Sequence, residues 1–337
     1  MARLAQATAD QSDLETDWRR SSGSKHPQCS PNPSIGTAVN DIVLYCKSYS
    51  RDFLRLKRLL ESIAVFNQDN LPFYISTPQS DRALLEEILG KVGYEWIADE
   101  SIVAANPRAS MAQYQSMPGS LSQQIVKSEF WRLKLAANYL CLDSDCLFIR
   151  PFTAADFLSV DGTPYTVLHQ NKELFQMATN RGHHKVERDL RAEAERVQSL
   201  FGRVGPQYYC APAPFIWSAR VWESLDKNLL EPSGKTLWDF ISPQHPETLI
   251  YGEALMKFKA IPLLAIEPLF RTYHYEWQYF VMRRLGETKQ KVAQHYLGII
   301  YQSAWEARMQ YGASAKSMPS RLLRQLKRFG RYLQSYF

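Results

Sequence analysis

Tyr139-Leu-Cys-Leu-Asp-Ser-Asp-Cys-Leu-Phe-Ile-Arg-Pro-Phe152 is the stretch that decides how the rest of this 337-residue chain is read. The run Tyr139 to Leu142 is short and apolar and fits a buried strand. Two carboxylates, Asp143 and Asp145, follow it directly, and a second apolar segment starts at Cys146. A buried strand cannot carry two unpaired charges in its middle, because taking them out of water costs too much. The pair therefore belongs at the strand's exit, facing a crevice. Open α/β sheets bind their ligands at the carboxyl ends of strands. Hard oxygen ligands at such a place suit Mg2+ or Mn2+, with substrate phosphates completing the shell. A bare Asp-x-Asp is commonly a solvated turn or a helix cap. The strand before this one, and Arg150-Pro151-Phe152 closing the unit after it, single it out.

Upstream, strands and helices alternate. Ile42 to Cys46 is an apolar run that leaves into Lys47-Ser48-Tyr49. Residues 51 to 66 place Phe53, Leu56, Leu59, Leu60 and Ile63 at helical spacing. Pro72 to Ser76 predicts a second strand, stopped at Pro78. Ser80 or Asp81 then caps a helix that runs to Leu89, with Gly90 at its end. Tyr94 to Ile97 predicts a third strand. Strand, helix, strand, helix, strand is the signature of a parallel sheet with crossover helices. Residues 100 to 120 read as loop, with Pro107, Pro118 and Gly119, and a helix from Leu121 to Asn138 feeds the strand at Tyr139. Downstream, a charged helix spans about 185 to 201, its Glu and Arg residues forming a solvated face. Shorter elements are expected over 221 to 230, 237 to 241 and 249 to 258.

An apolar content of 45% supplies a core for one large α/β domain or two smaller ones and excludes global disorder. The net charge of +6 is modest, and nucleic acid is not an expected partner. Five cysteines, an odd number at spacings that match no zinc pattern, describe a reduced, cytosolic protein without a disulfide framework. No stretch approaches the roughly 20 apolar residues needed to span a bilayer. The N-terminus has Asp10, Asp13, Glu15 and Asp17 and no apolar h-region, so it is not a secretory signal. Residues 1–38 are polar, Ser/Pro/Gly-rich from Ser21 to Gly36, and are expected to form a disordered tail. At the other end no acidic residue follows Glu306, while Arg308, Lys316, Arg321, Arg324, Lys327, Arg328 and Arg331 are basic. Leu322, Leu326, Phe329 and Leu333 repeat there at helical steps. Residues 306–337 are thus expected to contain a basic amphipathic helix, from about 319. It either lies on an anionic membrane surface, as at the inner face of the plasma membrane, or packs its stripe on the preceding domain.

Four pieces, in this order, resemble nucleotide-sugar-dependent glycosyltransferases of the GT-A fold, and more narrowly a bacterial family of such enzymes. They are the first strand ending in Lys47-Ser48-Tyr49, Ser122-Gln-Gln124-Ile-Val-Lys127, Leu142-Asp143-Ser144-Asp145 with Phe148 and Arg150-Pro151-Phe152, and Glu247-Thr-Leu-Ile-Tyr251-Gly252. The likeness spans about residues 40 to 305. It implies a GT-A, Rossmann-like α/β domain over 39–305, with a mixed, mainly parallel sheet flanked by helices, followed by the helical C-terminal extension. It also implies a nucleotide-sugar donor (a UDP-sugar for preference), Mn2+ or Mg2+, and transfer to a glycan or lipid-linked acceptor, as in cell-envelope polysaccharide synthesis.

Such a reaction expels a nucleoside diphosphate, and a divalent ion bridging the diphosphate neutralises the charge that develops. The resemblance assigns direct metal contact to Asp145. Asp143 would bind the metal through water or hold the donor ribose. Lys127 would add positive charge near the diphosphate, and Lys47, Tyr49 and Gln124 would help hold the donor. Glu247 and Glu253, around Tyr251-Gly252, are candidates to accept the acceptor's proton or to orient the acceptor. A third metal ligand is sought later in the chain. His295-Tyr-Leu-Gly298 is similar to the His-x-x-Gly segment of glycogenin-like and related bacterial galactosyltransferases. Here, however, Ile299-Ile300-Tyr301-Gln302 follows where that pattern has Lys-Pro-Trp. His274, within Tyr273-His-Tyr275, competes for the role.

Each of these residues has a plainer explanation: a solvated lysine for Lys127, a helix N-terminal carboxylate after Pro246 for Glu247, a packed imidazole for either histidine. Trp217, Tyr208 and Tyr209 are candidates to stack on sugars or to fill the core. Two other classes stay open. In a haloacid-dehalogenase-type phosphatase Asp143 would be the nucleophile and Asp145 the acid/base, although that loop normally follows the first strand and Leu147 stands where Thr or Val is expected. The other is a non-catalytic sugar-binding or scaffold protein.

Overall fold

The computed structural model describes residues 40–210 and 213–302. The tail expected over 1–38 and the basic helix expected within 306–337 lie outside the described residues, as does Cys29.

The sheet is built on β1 (Asn40–Lys47), whose residues Ile42 to Cys46 are almost wholly out of water. β2 (Phe73–Thr77) lies parallel to it on one side, and β3 (Glu95–Ala98) lies parallel to β2. The crossovers are α1 (Phe53–Phe66) and α2 (Arg82–Leu89). Phe53, Leu56, Leu59, Leu60 and Ile63 all face the core, as their spacing predicts. Gly90 ends α2 with φ +80, a conformation side chains rarely adopt. Asp81 does not cap α2 as expected. Its carboxylate accepts the Ser50 N–H at 2.8 Å and so ties the loop after β1 to the loop after β2.

The segment from 100 to 120, expected as loop, contains two short helices, α3 (Asp99–Ala104) and α4 (Met111–Ser116). Pro107 and Pro118 separate helices there instead of abolishing them. The helix expected from Leu121 to Asn138 is also cut short. α5 covers Gly119–Glu129, a 3-10 turn covers Phe130–Leu133, and Lys134 turns the chain with φ 54. Tertiary packing overrides propensity here. Phe130 stacks on Tyr45 at 3.8 Å and meets Tyr139 edge-on at 5.1 Å, which draws the chain down into the sheet. β4 (Ala136–Leu142) then runs parallel to β1, with Ile42 opposite Asn138 and Cys46 opposite Leu142.

Beyond β4 come β5 (Cys146–Phe148), β6 (Tyr165–Val167), α6 (Lys172–Asn180) and α7 (His184–Leu200). β7 (Phe215–Ser218) closes the main sheet antiparallel to β4, in the order β3-β2-β1-β4-β7. α8 (Ala219–Leu225), α9 (Leu237–Phe240) and α10 (Glu247–Phe258) follow. β8 (Leu264–Ile266) pairs with β6. A second sheet, β5-β10-β9, joins β5 to β9 (Phe270–Tyr273) and β10 (Gly298–Tyr301), with α11 (Glu276–Arg284) and α12 (Lys289–Ala293) between the last two. The fold is therefore the mixed, mainly parallel, helix-flanked α/β sheet that the sequence predicts.

Trp217 is 1% exposed and packs against Tyr139, Trp222 and Tyr251, so it belongs to the core and is not a sugar platform. The four cysteines among the described residues are free and buried. No helix among those residues is long and apolar enough to cross a membrane.

Candidate active site

The chain steps outward from β1 through β2 to β3, then returns to lay β4 on the other side of β1. The order of strands thus reverses between β1 and β4, and the crevice beyond the carboxyl ends of strands at such a point is where open α/β sheets bind ligands. Register places two expected residues there. Cys46 is opposite Leu142, so Lys47 and Asp143 are the next residues on adjoining strands.

Asp143 does not stand alone. Lys127, in the last turn of α5 and only 4% exposed, donates its ammonium to Asp143 Oδ1. Tyr139 anchors that turn by donating its hydroxyl to the Lys127 carbonyl at 3.1 Å. The Asp143 side chain is 39% exposed, so the pair is closed on the protein side and open to the crevice. Burial works against the Lys127 charge, but Asp143 beside it and Glu247 nearby hold the ammonium above the usual lysine range.

Glu247 is the first residue of α10, directly after Pro246. Its backbone N–H points to Gln124 Oε1 at 3.4 Å. Burial pushes its carboxyl from 4.5 up to about 7. Lys127 opposes that rise, Asp143 adds to it, and the N–H groups of Glu247 and Thr248 oppose it. Four residues from three separated stretches of sequence, Gln124, Lys127, Asp143 and Glu247, thus form one cluster.

Asp145 is half-buried in the turn that leads into β5, and the Cys146 N–H closes that turn on the Asp143 carbonyl at 3.0 Å. Mg2+ and Mn2+ are commonly held by one or two carboxylates, with waters and substrate phosphates filling the remaining positions. Asp143 and Asp145 fit such an ion. Among the described residues no set of three His, Cys, Asp or Glu side chains gathers into a metal site.

His295, expected as the third ligand, is elsewhere. β10 runs antiparallel to β5, with Gly298 opposite Phe148 and Ile300 opposite Cys146. His295 comes before Gly298 and Asp145 before Cys146, so the two lie off opposite ends of this strand pair. At about 3.3 Å per residue they are separated by more than about 10 Å, far beyond a metal bond of about 2 Å. Packing explains the glycine of the His-x-x-Gly spacing. A Cβ on Gly298 would sit 2.2 Å from the Phe270 ring. His274 is better placed. β9 is parallel to β10 with Tyr273 beside Tyr301, which puts His274 at the edge where Asp145 lies, two strands across. Burial, with His169 and Arg271 nearby, pushes the His274 imidazole down to about 4, so it is neutral at physiological pH.

Glu253, the other candidate base, is a structural residue. Arg203 holds both of its oxygens, at 2.6 and 2.7 Å. Six residues beyond Glu247 on α10, it lies about 240° round the helix from the cluster. Lys47 is also committed, to Asp99 at 3.0 Å and to the Ser48 carbonyl at 2.8 Å. Sequence patterning does not single out Asp99, yet a signal was there: an acidic residue directly after the third strand, in the position that Asp143 holds after β4. Tyr49 is 40% exposed beside Lys47, the one expected donor residue whose ring is open to solvent. Tyr209 is buried and pairs through its backbone with His169, while half-buried Tyr208 lies under the Arg203 guanidinium.

The family model of DUF6492, described as a family of unknown function, matches residues 37–305. No curated protein matches the chain. Among solved structures, the crystal structure of an active-site mutant of LgtC is similar at a TM-score of 0.46 and 9% identity, over 77% of this chain and 86% of that one.

Proposed function

The chain belongs to DUF6492, a family of unknown function, and on that premise we propose that it is a metal-dependent glycosyltransferase. It would move a sugar from a nucleotide sugar, a UDP-sugar for preference, to a glycan or lipid-linked acceptor. The observation that carries this reading is the cluster at the strand switch point: Lys127 on Asp143, with Glu247 beneath and Asp145 two residues on.

A divalent ion held by Asp143 and Asp145 would supply the charge that neutralises the departing diphosphate. Lys127 adds a fixed cation, preorganised by Asp143 before the donor arrives, where it is worth most. Tyr49 offers its exposed ring to the base. Gln124 orients the first turn of α10 and so Glu247. Buried as it is, Glu247 acts through its neighbours. Its proton decides whether the Lys127–Asp143–Glu247 cluster is neutral or carries one negative charge, which makes it a positioning residue. Neutral His274 lies on the same edge as Asp145, two strands across. The basic segment from 319 would bring this cytoplasmic enzyme to an anionic membrane where a lipid-linked acceptor resides. Flotation on anionic vesicles, with and without residues 319–337, tests that last step. Equal flotation of both chains refutes it.

The central test is release of nucleotide from a panel of UDP-, GDP- and CMP-sugars with Mn2+, alongside generic phosphatase substrates. One nucleotide sugar is expected to be cleaved, with activity lost in EDTA and reduced by at least about a hundredfold in Asp145→Asn. Full activity in EDTA or in Asp145→Asn sinks the reading. Turnover of phosphatase substrates alone would favour the phosphatase class.

A further inference from the structure

Away from the Asp143 cluster, α6, α7 and the loop at Pro206 and Gln207 border an open groove of about 510 Å3. Its size falls within the roughly 300–1,000 Å3 typical of small-molecule sites. One wall is a helical face. Gln176, Thr179 and Asn180 stand at i, i+3 and i+4 on α6, all three exposed. The opposite wall is Glu187 and Arg191 on α7, one turn apart and paired to each other at 2.8 Å. Phe175 lies under the Arg191 guanidinium at 4.8 Å and fixes it from below. Gln170 and Gln207 also line the groove, flanking the His169–Tyr209 backbone bridge.

The chemistry of this lining is specific. Four carboxamides and a hydroxyl each both donate and accept hydrogen bonds. The Arg191 charge is already matched by Glu187, which leaves exposed Lys172 as the single other cation of a lining made chiefly of carboxamides, too little positive charge to be built for a phosphate. An apolar ligand would leave the carboxamides without partners, at a cost in each case. A pyranose has hydroxyls all round that also both donate and accept, and it satisfies such a lining.

We propose that this groove is a carbohydrate subsite that holds one neutral sugar of the acceptor glycan. The word acceptor rests on the glycosyltransferase reading, whereas carbohydrate binding does not. The ligand is recognised through Gln176, Thr179 and Asn180 on one side and the Gln170 and Gln207 amides on the other.

Saturation-transfer NMR on the full chain tests this, with the methyl α- and β-pyranosides of glucose, galactose and mannose as probes. The Gln176→Ala/Asn180→Ala double variant changes only exposed side chains, and an unchanged melting temperature confirms that it is folded. At least one glycoside is expected to bind the wild type, and its Kd is expected to rise at least tenfold in the variant. Nucleotide release from the donor without acceptor should stay the same. No transfer to any of the six glycosides, or equal Kd in wild type and variant, overturns the proposal. Glycoside binding without any donor cleavage would keep the subsite and remove the glycosyltransferase reading, so the two failures are distinguishable.

Discussion

Replacing Glu247 by Gln keeps the shape of a buried side chain and removes one titrating proton. Glu247 is 6% exposed, and its carboxyl sits at about 7 instead of 4.5. A carboxyl whose folded pKa lies above its unfolded one binds its proton more tightly in the folded chain. The folded state is therefore favoured most below about 4.5, loses ground as pH rises towards 7, and levels off above it. At about 1.4 kcal/mol per pKa unit, the full loss is about 3 kcal/mol. Glutamine carries none of it. The variant should therefore be ahead of the wild type by less than about 1 kcal/mol at pH 5, and by up to about 3 kcal/mol at pH 8. Urea unfolding from pH 5 to 8 measures this, with buried Trp217 and Trp222 as fluorescent reporters. A variant that is less stable than the wild type at pH 8, or two parallel pH profiles, would refute the reasoning. The same proton has a kinetic readout. The cluster is neutral when Glu247 is protonated and carries one negative charge when it is not, and the proposed nucleotide-sugar donor is itself anionic. Donor KM is therefore expected to rise above about pH 7 in the wild type and to stay flat there in Glu247→Gln, with kcat less affected than KM.

Three further outcomes follow from the geometry. His295→Ala should leave Mn2+ affinity and nucleotide release within about twofold, as befits an exposed residue off the far end of β10, while His274→Ala changes turnover more; the opposite order would break the register reasoning. Glu253→Gln should cost about 1–3 kcal/mol, because it removes the counter-ion of the half-buried Arg203 guanidinium and weakens two charge-assisted hydrogen bonds. A thermal melt measures that loss, and activity per folded molecule should be unchanged. Gly298→Ala pushes a methyl into the Phe270 ring and should cost about 1–3 kcal/mol in denaturant unfolding.

Much of the frame was legible because it is local. β1, α1, β2 and α2 follow from apolar spacing and from the turn residues Pro78 and Gly90, each within a few residues of where it acts. The end of α5 was not legible. Nothing near Phe130 in sequence announces that its ring is stacked on Tyr45, eighty-five residues earlier. The candidate site divides the same way. Asp143 and Asp145 were visible because a strand exit is a local event. That Lys127 and Glu247 meet Asp143 could be suspected from motif order, but their contacts depend on three chain segments. His295 misled because a two-letter spacing, His-x-x-Gly, has a packing cause at Gly298 that spacing alone does not reveal. Glu253 looked equivalent to Glu247 until Arg203, fifty residues before it, took both of its oxygens.

The antiparallel course of β10 has a practical consequence. β1 begins at Asn40, on the edge of the main sheet opposite the crevice, whereas β10 ends at Tyr301, alongside the turn that carries Asp145. Asn40 and Tyr301 are therefore inequivalent points of attachment. A probe at Asn40 leaves the crevice pointing outward. A bulky group introduced at Tyr301 sits beside the turn that carries Asp145, where, on the proposed function, it would screen a large acceptor more than a small donor. On the proposed function, the point of attachment alone should thus separate donor from acceptor.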